Sequence, residues 1–208
     1  MKTDRSITKG EKGGNPLQVT TKDLRPDMWP QVESLFGLNR ACGGCWCQAW
    51  RIEKGEKWVD IKGATAKERL RQGVMGGQVF AIIAFVEDKP VGWCTYGPRV
   101  TFPRLNRSPS FKCEDAEQVW SLPCFFVARG YRGKGIARAM LEHALRTMEN
   151  RGVKIAEGYP SKPGKDGRYI DAFSWAGTRS LFEKAGFTVA GNPDDGKQHV
   201  RKILPHSS

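Results

Sequence analysis

The 208 residues predict one mixed α/β domain of the α+β kind, and three stretches carry that reading. The first is Leu122–Leu145 (LPCFFVARGYRGKGIARAMLEHAL), read as an apolar strand, a turn rich in glycine and arginine, and an amphipathic helix. The second is the apolar run Val79–Val86, which turns at Glu87-Asp88-Lys89-Pro90 and returns over Val91–Tyr96 as a hairpin. The third is the order of strand, helix and hairpin between Val153 and Leu204. A chain of this length can bury one full core, which favours one domain over two.

Residues 1–16 (MKTDRSITKGEKGGNP) are polar and glycine-rich and are expected to form a disordered tail ahead of a domain spanning 17–208. Leu17–Thr20 reads as the first strand, and Pro26–Leu35 as a helix with Asp27 near its start. Gly43–Arg51 concentrates aromatic and sulfur side chains, as a core edge or a pocket wall would. Thr65–Met75 reads as a second helix, with Thr65 and Glu68 at capping-box spacing and Gly76-Gly77 as its stop. After the hairpin, Gly97-Pro98 halts the strand. Residues 98–118 carry Pro98, Pro103, Asn106 and Pro109 and read as an irregular excursion, of a length often tied to function.

Phe125, Phe126 and Val127 suit a pleated surface, and Ile136, Met140, Leu141, Ala144, Leu145 and Met148 share one helix face. His143, on that helix, reads as a surface residue. Val153–Glu157 is the next strand, followed by a polar loop, Tyr159–Arg168, and a helix over Ser174–Ala185 closed by Gly186. Phe187–Ala190 and His199–Leu204 then form a hairpin around Asn192-Pro193-Asp194-Asp195-Gly196.

Composition excludes several classes. The longest apolar runs are too short to span a bilayer and the N-terminus has no apolar signal region, so no membrane partner and a cytoplasmic setting are expected. The formal net charge of +12 is scattered among interleaved acids, which argues against a nucleic-acid partner and for an anionic ligand. Three of the six cysteines form Cys42-x-x-Cys45-x-Cys47. A zinc site would need a fourth ligand, and there is no second C-x-x-C or H-x-x-x-H pair, so no metal is expected. These thiols read as reduced and either packed or pocket-lining.

The turn Arg129-Gly130-Tyr131-Arg132-Gly133-Lys134-Gly135 brings backbone amides and cations to a helix N-terminus, where unsatisfied N–H groups and the dipole attract phosphate. A Walker loop is excluded, because Gly133-Lys134-Gly135 is followed by Ile136 rather than Ser or Thr. The dinucleotide fingerprint lacks its third glycine. What remains, Arg132-x-x-Gly135-x-Ala137, resembles the R/Q-x-x-G-x-G/A pyrophosphate loop of the GCN5-related N-acetyltransferase (GNAT) superfamily. Ser180–Phe187 (SLFEKAGF) is similar to that family's F/LYEKxGF segment, and the order β-α-α-β-β-β-α-β-α-β-β is similar to its fold. The resemblance covers nearly all of the chain after residue 16. It implies a central mixed, mostly antiparallel six- to seven-stranded sheet flanked by helices, with splayed central strands.

The resemblance also implies an activity: transfer of an acetyl group from acetyl-CoA, as cosubstrate, to an amine. Amides around Gly133, Lys134, Gly135, Ile136 and Ala137 would then hold the pyrophosphate, with Arg132 and Lys134 adding charge. The strand Phe125, Phe126 and Val127 would bond the pantetheine arm. Relatives often use a tyrosine on the last helix as the acid, where this chain has Phe182. Substitutes are Tyr159 and Ser180, then Tyr169 and Cys124. For the base, Glu157 is preferred over Glu117 upstream, with a water relay as the alternative. The acceptor pocket of this fold points to Cys45, Trp46, Cys47, Trp50, Arg51, Tyr96 and Arg99. The tryptophans would serve either as a stacking wall or as core, and the arginines would pair with an acidic group. A small-molecule amine is the expected acceptor, against a protein or peptide amine or a non-catalytic protein that only binds acyl-CoA. The oligomeric state, a homodimer included, stays open.

Overall fold

The computed structural model describes residues 17–37, 43–161, 175–190 and 198–205. The tail 1–16, Cys42, Tyr169, most of the Tyr159–Arg168 loop and the turn at 192–196 lie outside them. Among the described residues the strands are β1 (Thr20–Asp23), β2 (Phe80–Val86), β3 (Lys89–Pro98), β4 (Val119–Val127), β5 (Ile155–Gly158), β6 (Thr188–Val189) and β7 (Val200–Ile203). They form one seven-stranded sheet in the order β1-β2-β3-β4-β5-β7-β6. The helices are α1 (Trp29–Gly37), α2 (Trp58–Ile61), α3 (Ala64–Met75), α4 (Pro103–Asn106), α5 (Ile136–Asn150) and α6 (Arg179–Lys184). No helix among the described residues is long and apolar enough to cross a membrane.

The apolar run of β2 is continuous because both of its faces are covered. Ile82, Ala84 and Val86 join a core under α5, while Ala81, Ile83 and Phe85 join a second core under α1 and α3. The helical stripe Ile136, Met140, Leu141, Ala144, Leu145 and Met148 is buried throughout, as its spacing predicts. The β2–β3 turn is tighter than expected. Val86 pairs with Lys89, and the two central residues, Glu87 and Asp88, both take left-handed φ (+49° and +61°), the backbone that matches strand twist in a two-residue hairpin.

Strand pairing is antiparallel except between β4 and β5, which run parallel from Val119↔Ile155 to Leu122↔Gly158. There β5 ends while β4 continues to Val127, so the middle of the sheet forks. At the fork β4 bulges: Thr95 opposes Cys124 and Gly97 opposes Ser121, so Leu122 and Pro123 together face Tyr96. Pro123 has no N–H to offer a ladder, which suits it to this irregular point.

Several expectations need correction. The first strand starts at Thr20 rather than Leu17, because β2 pairs with Thr20–Asp23. The Pro26–Leu35 helix opens with a 3-10 turn over Pro26–Met28 and then runs as α1 to Gly37. The capping box is absent: Gly63 is the N-cap of α3, and the Glu68 carboxylate accepts from Arg71 and Gln72 instead. α2 was not expected. The last helix begins at Arg179, where Thr178 Oγ1 accepts from Leu181 N at 3.2 Å; Ser174 lies outside the described residues. The 98–118 excursion holds α4 and three 3-10 turns, and it buries Phe102, Leu105 and Phe111 against Trp50 and Tyr159 in a third apolar cluster. His143 is not a free surface residue. Its Nδ1 lies 2.8 Å from Thr21 Oγ1 and its Nε2 lies 3.2 Å from Asp23 Oδ2, tying α5 to β1.

Phe182 is fully buried, edge-on to Phe125 (ring centroids 5.9 Å apart) and to Phe187 (5.0 Å). It stands directly over Gly158, where an added Cβ would meet the Phe182 ring at 2.2 Å. Hemmed in on both sides, the ring cannot swing away. Gly158→Ala is therefore expected to lose about 1–3 kcal/mol of stability by overpacking. In urea melts the loss should shrink in a Phe182→Leu background, and equal losses in both backgrounds would refute the contact.

Candidate functional site

Among the described residues the fork leaves one edge of β4 without a strand beside it. Ala128 N donates to Val91 O. The alternation of an antiparallel ladder therefore turns the amides of Phe126 and Cys124 toward β3, and those of Val127 and Phe125 away from it. Phe125, Phe126 and Val127 line a cleft of about 600 Å³ on that open side. Its far wall is Trp175, Gly177, Thr178, Ser180, Leu181 and Lys184, leading into and along α6.

One end of the cleft is the start of α5. Gly133 and Gly135 take left-handed φ of +73° and +80°, and a Cβ added to either meets nothing within 4 Å. Gly135 caps the helix without a side-chain bond, and no acidic residue stands in the first turn. The first intrahelical donor is Ala139 N, to Gly135 O, so the N–H groups of Ile136, Ala137 and Arg138 point past the helix end. Gly133, Gly135, Ile136, Ala137 and Arg138 all line the cleft, together with Arg132. Arg132 Nε also donates to Val127 O at 3.2 Å, fastening the loop to β4. Lys134 sits beside Tyr131, with Nζ 5.6 Å from the ring centroid. A cradle of free amides, open space over two glycines and nearby cations suits a pyrophosphate. The strand edge continuing from it suits an extended chain that needs backbone partners.

The expected catalytic residues fall in two places. Ser180, exposed on the first turn of α6, lines the cleft with its Oγ 3.2 Å from Thr178 Oγ1. Glu157 and Tyr159 do not line it. Both are fully buried at the fork, in a network that the excursion closes over. Glu157 Oε2 accepts from Arg99 Nη1 (2.6 Å) and from the Tyr159 hydroxyl (2.7 Å). Its Oε1 accepts from Arg201 Nε (2.6 Å) and lies 2.9 Å from His199 Nε2, at an angle outside hydrogen-bond geometry. Arg99 Nη1 also donates to Tyr159 Oη, which lies 2.7 Å from Ser121 Oγ. Arg99 Nη2 donates to the carbonyls of Leu105 and Phe111, and Arg201 pairs outward with Asp115.

Burial alone would raise the Glu157 pKa, but contact with His199, Tyr159 and Arg99 outweighs it and brings the group to about 2. Burial and the Glu157 charge push the Tyr159 phenol well above its ordinary value. At neutral pH the pair is a fixed anion beside a fixed donor, and a carboxylate so strongly satisfied is a poor proton acceptor.

A second cavity of about 310 Å³ meets β4 at Cys124. Trp50, Trp58 and Trp175 wall it, Cys45, Cys47 and Cys124 contribute thiols, and Ala49 and Arg104 complete it. Trp175 borders both spaces, and Cys124 and Phe125 place adjacent residues of β4 on one space each. Trp50 is pinned by its Nε1, which donates to Pro123 O at 3.0 Å. Burial and the neighbouring Cys47 raise the Cys45 thiol to about 11, so it is protonated at neutral pH. Among the described residues no group of three or more His, Cys, Asp or Glu could hold a metal.

Of the expected acceptor residues, Cys45, Cys47 and Trp50 line this cavity. Trp46 is core, stacked on Trp29 and Phe36 at 6.1 and 5.5 Å. It and Cys47 hold left-handed φ of +44° and +57°, a strain of roughly 1–2 kcal/mol per residue that the packing must outweigh. Tyr96 is buried and donates to Asp23 Oδ1 at 3.0 Å, and Arg99 belongs to the Glu157 network. Arg51 lies over the Phe102 ring (4.4 Å) and donates to Thr101 O. The sequence reading missed Trp58, Trp175 and Arg104. The excursion supplies Arg104, and only its return over residues 49–52 reveals the proximity, through Arg104 N to Trp50 O.

Residues 44–159 match the family model described as the Acetyltransferase (GNAT) family. Among solved structures, the chain is similar to the PaiA N-acetyltransferase of Thermoplasma acidophilum in complex with coenzyme A (16% identity, 90% of this chain and 99% of that one, TM-score 0.54). It is also similar to yncA of Salmonella typhimurium, solved with its cofactor acetyl-CoA (13%, 91% and 96%, 0.54). A third likeness is to a ribosomal-protein-alanine N-acetyltransferase of Brucella melitensis (20%, 89% and 99%, 0.51). At these identities the likenesses speak for the fold. No curated protein matches the chain.

Proposed function

The chain belongs to the acetyltransferase (GNAT) family, and from that membership we propose an N-acyltransferase that moves an acetyl group from acetyl-CoA to a primary amine of a small molecule, by direct attack in a ternary complex. The observation that carries the reading is the continuity of the α5 amide cradle with the unpaired β4 edge in one cleft. In this reading the amides of Gly133, Lys134, Gly135, Ile136 and Ala137 bind the pyrophosphate, and Arg132 and Lys134 add charge. Phe125, Phe126 and Val127 line the pantetheine path, with the outward-facing amides of Phe125 and Val127 as its backbone partners. An N–H of this edge polarises the thioester carbonyl, a contribution of roughly 3 kcal/mol to lowering the barrier.

Ser180 borders the cleft and is the proposed site for a water that delivers a proton to the departing thiolate. Glu157 and Tyr159 act in this reading by position: bonded to Arg99 and Ser121, they hold the fork open. The metabolite-sized second cavity supports a small acceptor over a peptide. A cytoplasmic setting goes with an acyl-CoA donor. The test is release of free thiol from acetyl-CoA across a panel of small amines and peptides. Acceptor-dependent release with small amines is expected. Release with peptides alone would shift the acceptor class, and tight acetyl-CoA binding without any release would leave a non-catalytic binding protein.

A further inference from the structure

We infer that the smaller cavity takes an amine built like an aromatic amino acid, with a flat ring, a carboxylate and a primary amine. This deepens the acyl-transfer reading above and rests on it. The size is right: about 310 Å³ falls at the low end of the roughly 300–1,000 Å³ typical of small-molecule sites, enough for one ring system and a short arm. The walls are right as well. Trp50 and Trp175 are held with ring centroids 5.7 Å apart and tilted by 56°, and Trp58 completes the aromatic lining. Indole faces in such an arrangement favour a flat π-system over a sugar or a flexible polyamine.

Charge completes the match. Among the described residues no Asp or Glu lines the cavity, whereas Arg104 does, with its guanidinium 5.9 Å from the Trp50 ring centroid. Arg104 spends Nη1 on the Ala49 carbonyl, and neighbouring Arg51 spends Nη1 on Thr101 O. Among the described residues neither guanidinium is paired with a carboxylate. Each keeps donors in a fork that matches a carboxylate, and both would repel a cationic acceptor. With its carboxylate on Arg104, the acceptor's other end would lie toward Trp175, which lines both the cavity and the cleft. There the neutral amine nitrogen forms the C–N bond and the thioester C–S bond breaks. The proton shed by nitrogen ends on the departing thiolate, leaving an amide and free coenzyme A.

The test is calorimetry of the whole protein in saturating coenzyme A, with L-phenylalanine and L-tryptophan, their decarboxylated counterparts phenethylamine and tryptamine, and spermidine. Thiol release from acetyl-CoA is measured on the same compounds. One of the amino acids should bind saturably and at least about 10-fold tighter than its decarboxylated form. Arg104→Gln, at an exposed position that should leave thermal unfolding unchanged, should weaken the acid about 10- to 100-fold and the plain amine little. A decarboxylated amine or spermidine binding as tightly as the acids would overturn the inference, as would Arg104→Gln leaving the preference intact. An amino acid that binds with this preference but yields no thiol would strike the acyl-transfer reading and leave the cavity's specificity standing. Thiol release from spermidine, with neither amino acid bound, would do the reverse.

Discussion

Glu157→Gln is expected to destabilise the fold by about 3–5 kcal/mol, the usual cost of removing one partner from a buried ion pair. Arg99 has 1% of its side chain exposed and Glu157 none, so the remaining guanidinium gains nothing from water. Arg99 also joins the carbonyls of Leu105 and Phe111 to the fork. Losing its counter-charge should therefore loosen the 98–118 excursion as well as the sheet. Denaturant melts measure the loss, and a fall of less than about 1 kcal/mol would mean that the network does not hold the fork. A second substitution, Arg99→Met, should recover part of it by removing the stranded charge.

The same carboxylate sets an acid limit. Its pKa falls from 4.5 in the unfolded chain to about 2 in the fold. A depressed carboxylate contributes stability that is fully present above the unfolded value and lost as pH falls through the folded one. About 3 kcal/mol should therefore disappear between roughly pH 5 and 2. Glu157→Gln should flatten this part of the stability profile, and an equally steep acid loss in the variant would assign it to other groups.

The half of the site proposed for coenzyme A is local in sequence, and that is why it could be read. Arg132 to Ala137 form a single turn and helix start, and glycine at 133 and 135 reports a left-handed backbone directly. The stripe on α5 and the apolar run of β2 were likewise legible, because helix and strand periods are local properties. The cavity proposed for the acceptor is assembled from distant segments: Cys45 to Trp58, Arg104, Cys124 and Trp175. No periodicity links them, so Trp46 and Trp50 looked equivalent although one is core and the other is cavity wall. Glu157 and Tyr159 depend on distant residues in the same way. In sequence a carboxylate and a phenol at the end of a strand suggest acid and base, whereas in the fold both are buried and Arg99, some 58 residues away in sequence, is paired with the first. Residues 98–118 read as an irregular loop because their prolines mark turns, while the buried Phe102, Leu105 and Phe111 that anchor them have no repeat to reveal it.

Gly135→Glu should lower coenzyme A affinity at least about 100-fold in a protein that still folds. The separation of these effects follows from the geometry. A Cβ at 135 meets nothing within 4 Å, so the fold suffers no clash. It bears only the strain of a non-glycine residue at φ +80°, about 1–2 kcal/mol. The ligand faces a different problem. The side chain would enter the space through which phosphate oxygens must approach the amides of Ile136 and Ala137, and its carboxylate would compete for those donors and repel the incoming anion. Gly135→Ala separates the contributions. It keeps the strain and a small part of the obstruction but adds no charge, so it should weaken binding by about 10-fold or less. Raising the salt should narrow the gap between the two variants, because only the charge repulsion is screened. Calorimetry with coenzyme A at two ionic strengths reads all of this. Unchanged affinity in folded Gly135→Glu would place the pyrophosphate elsewhere, and a gap indifferent to salt would make the effect steric rather than electrostatic.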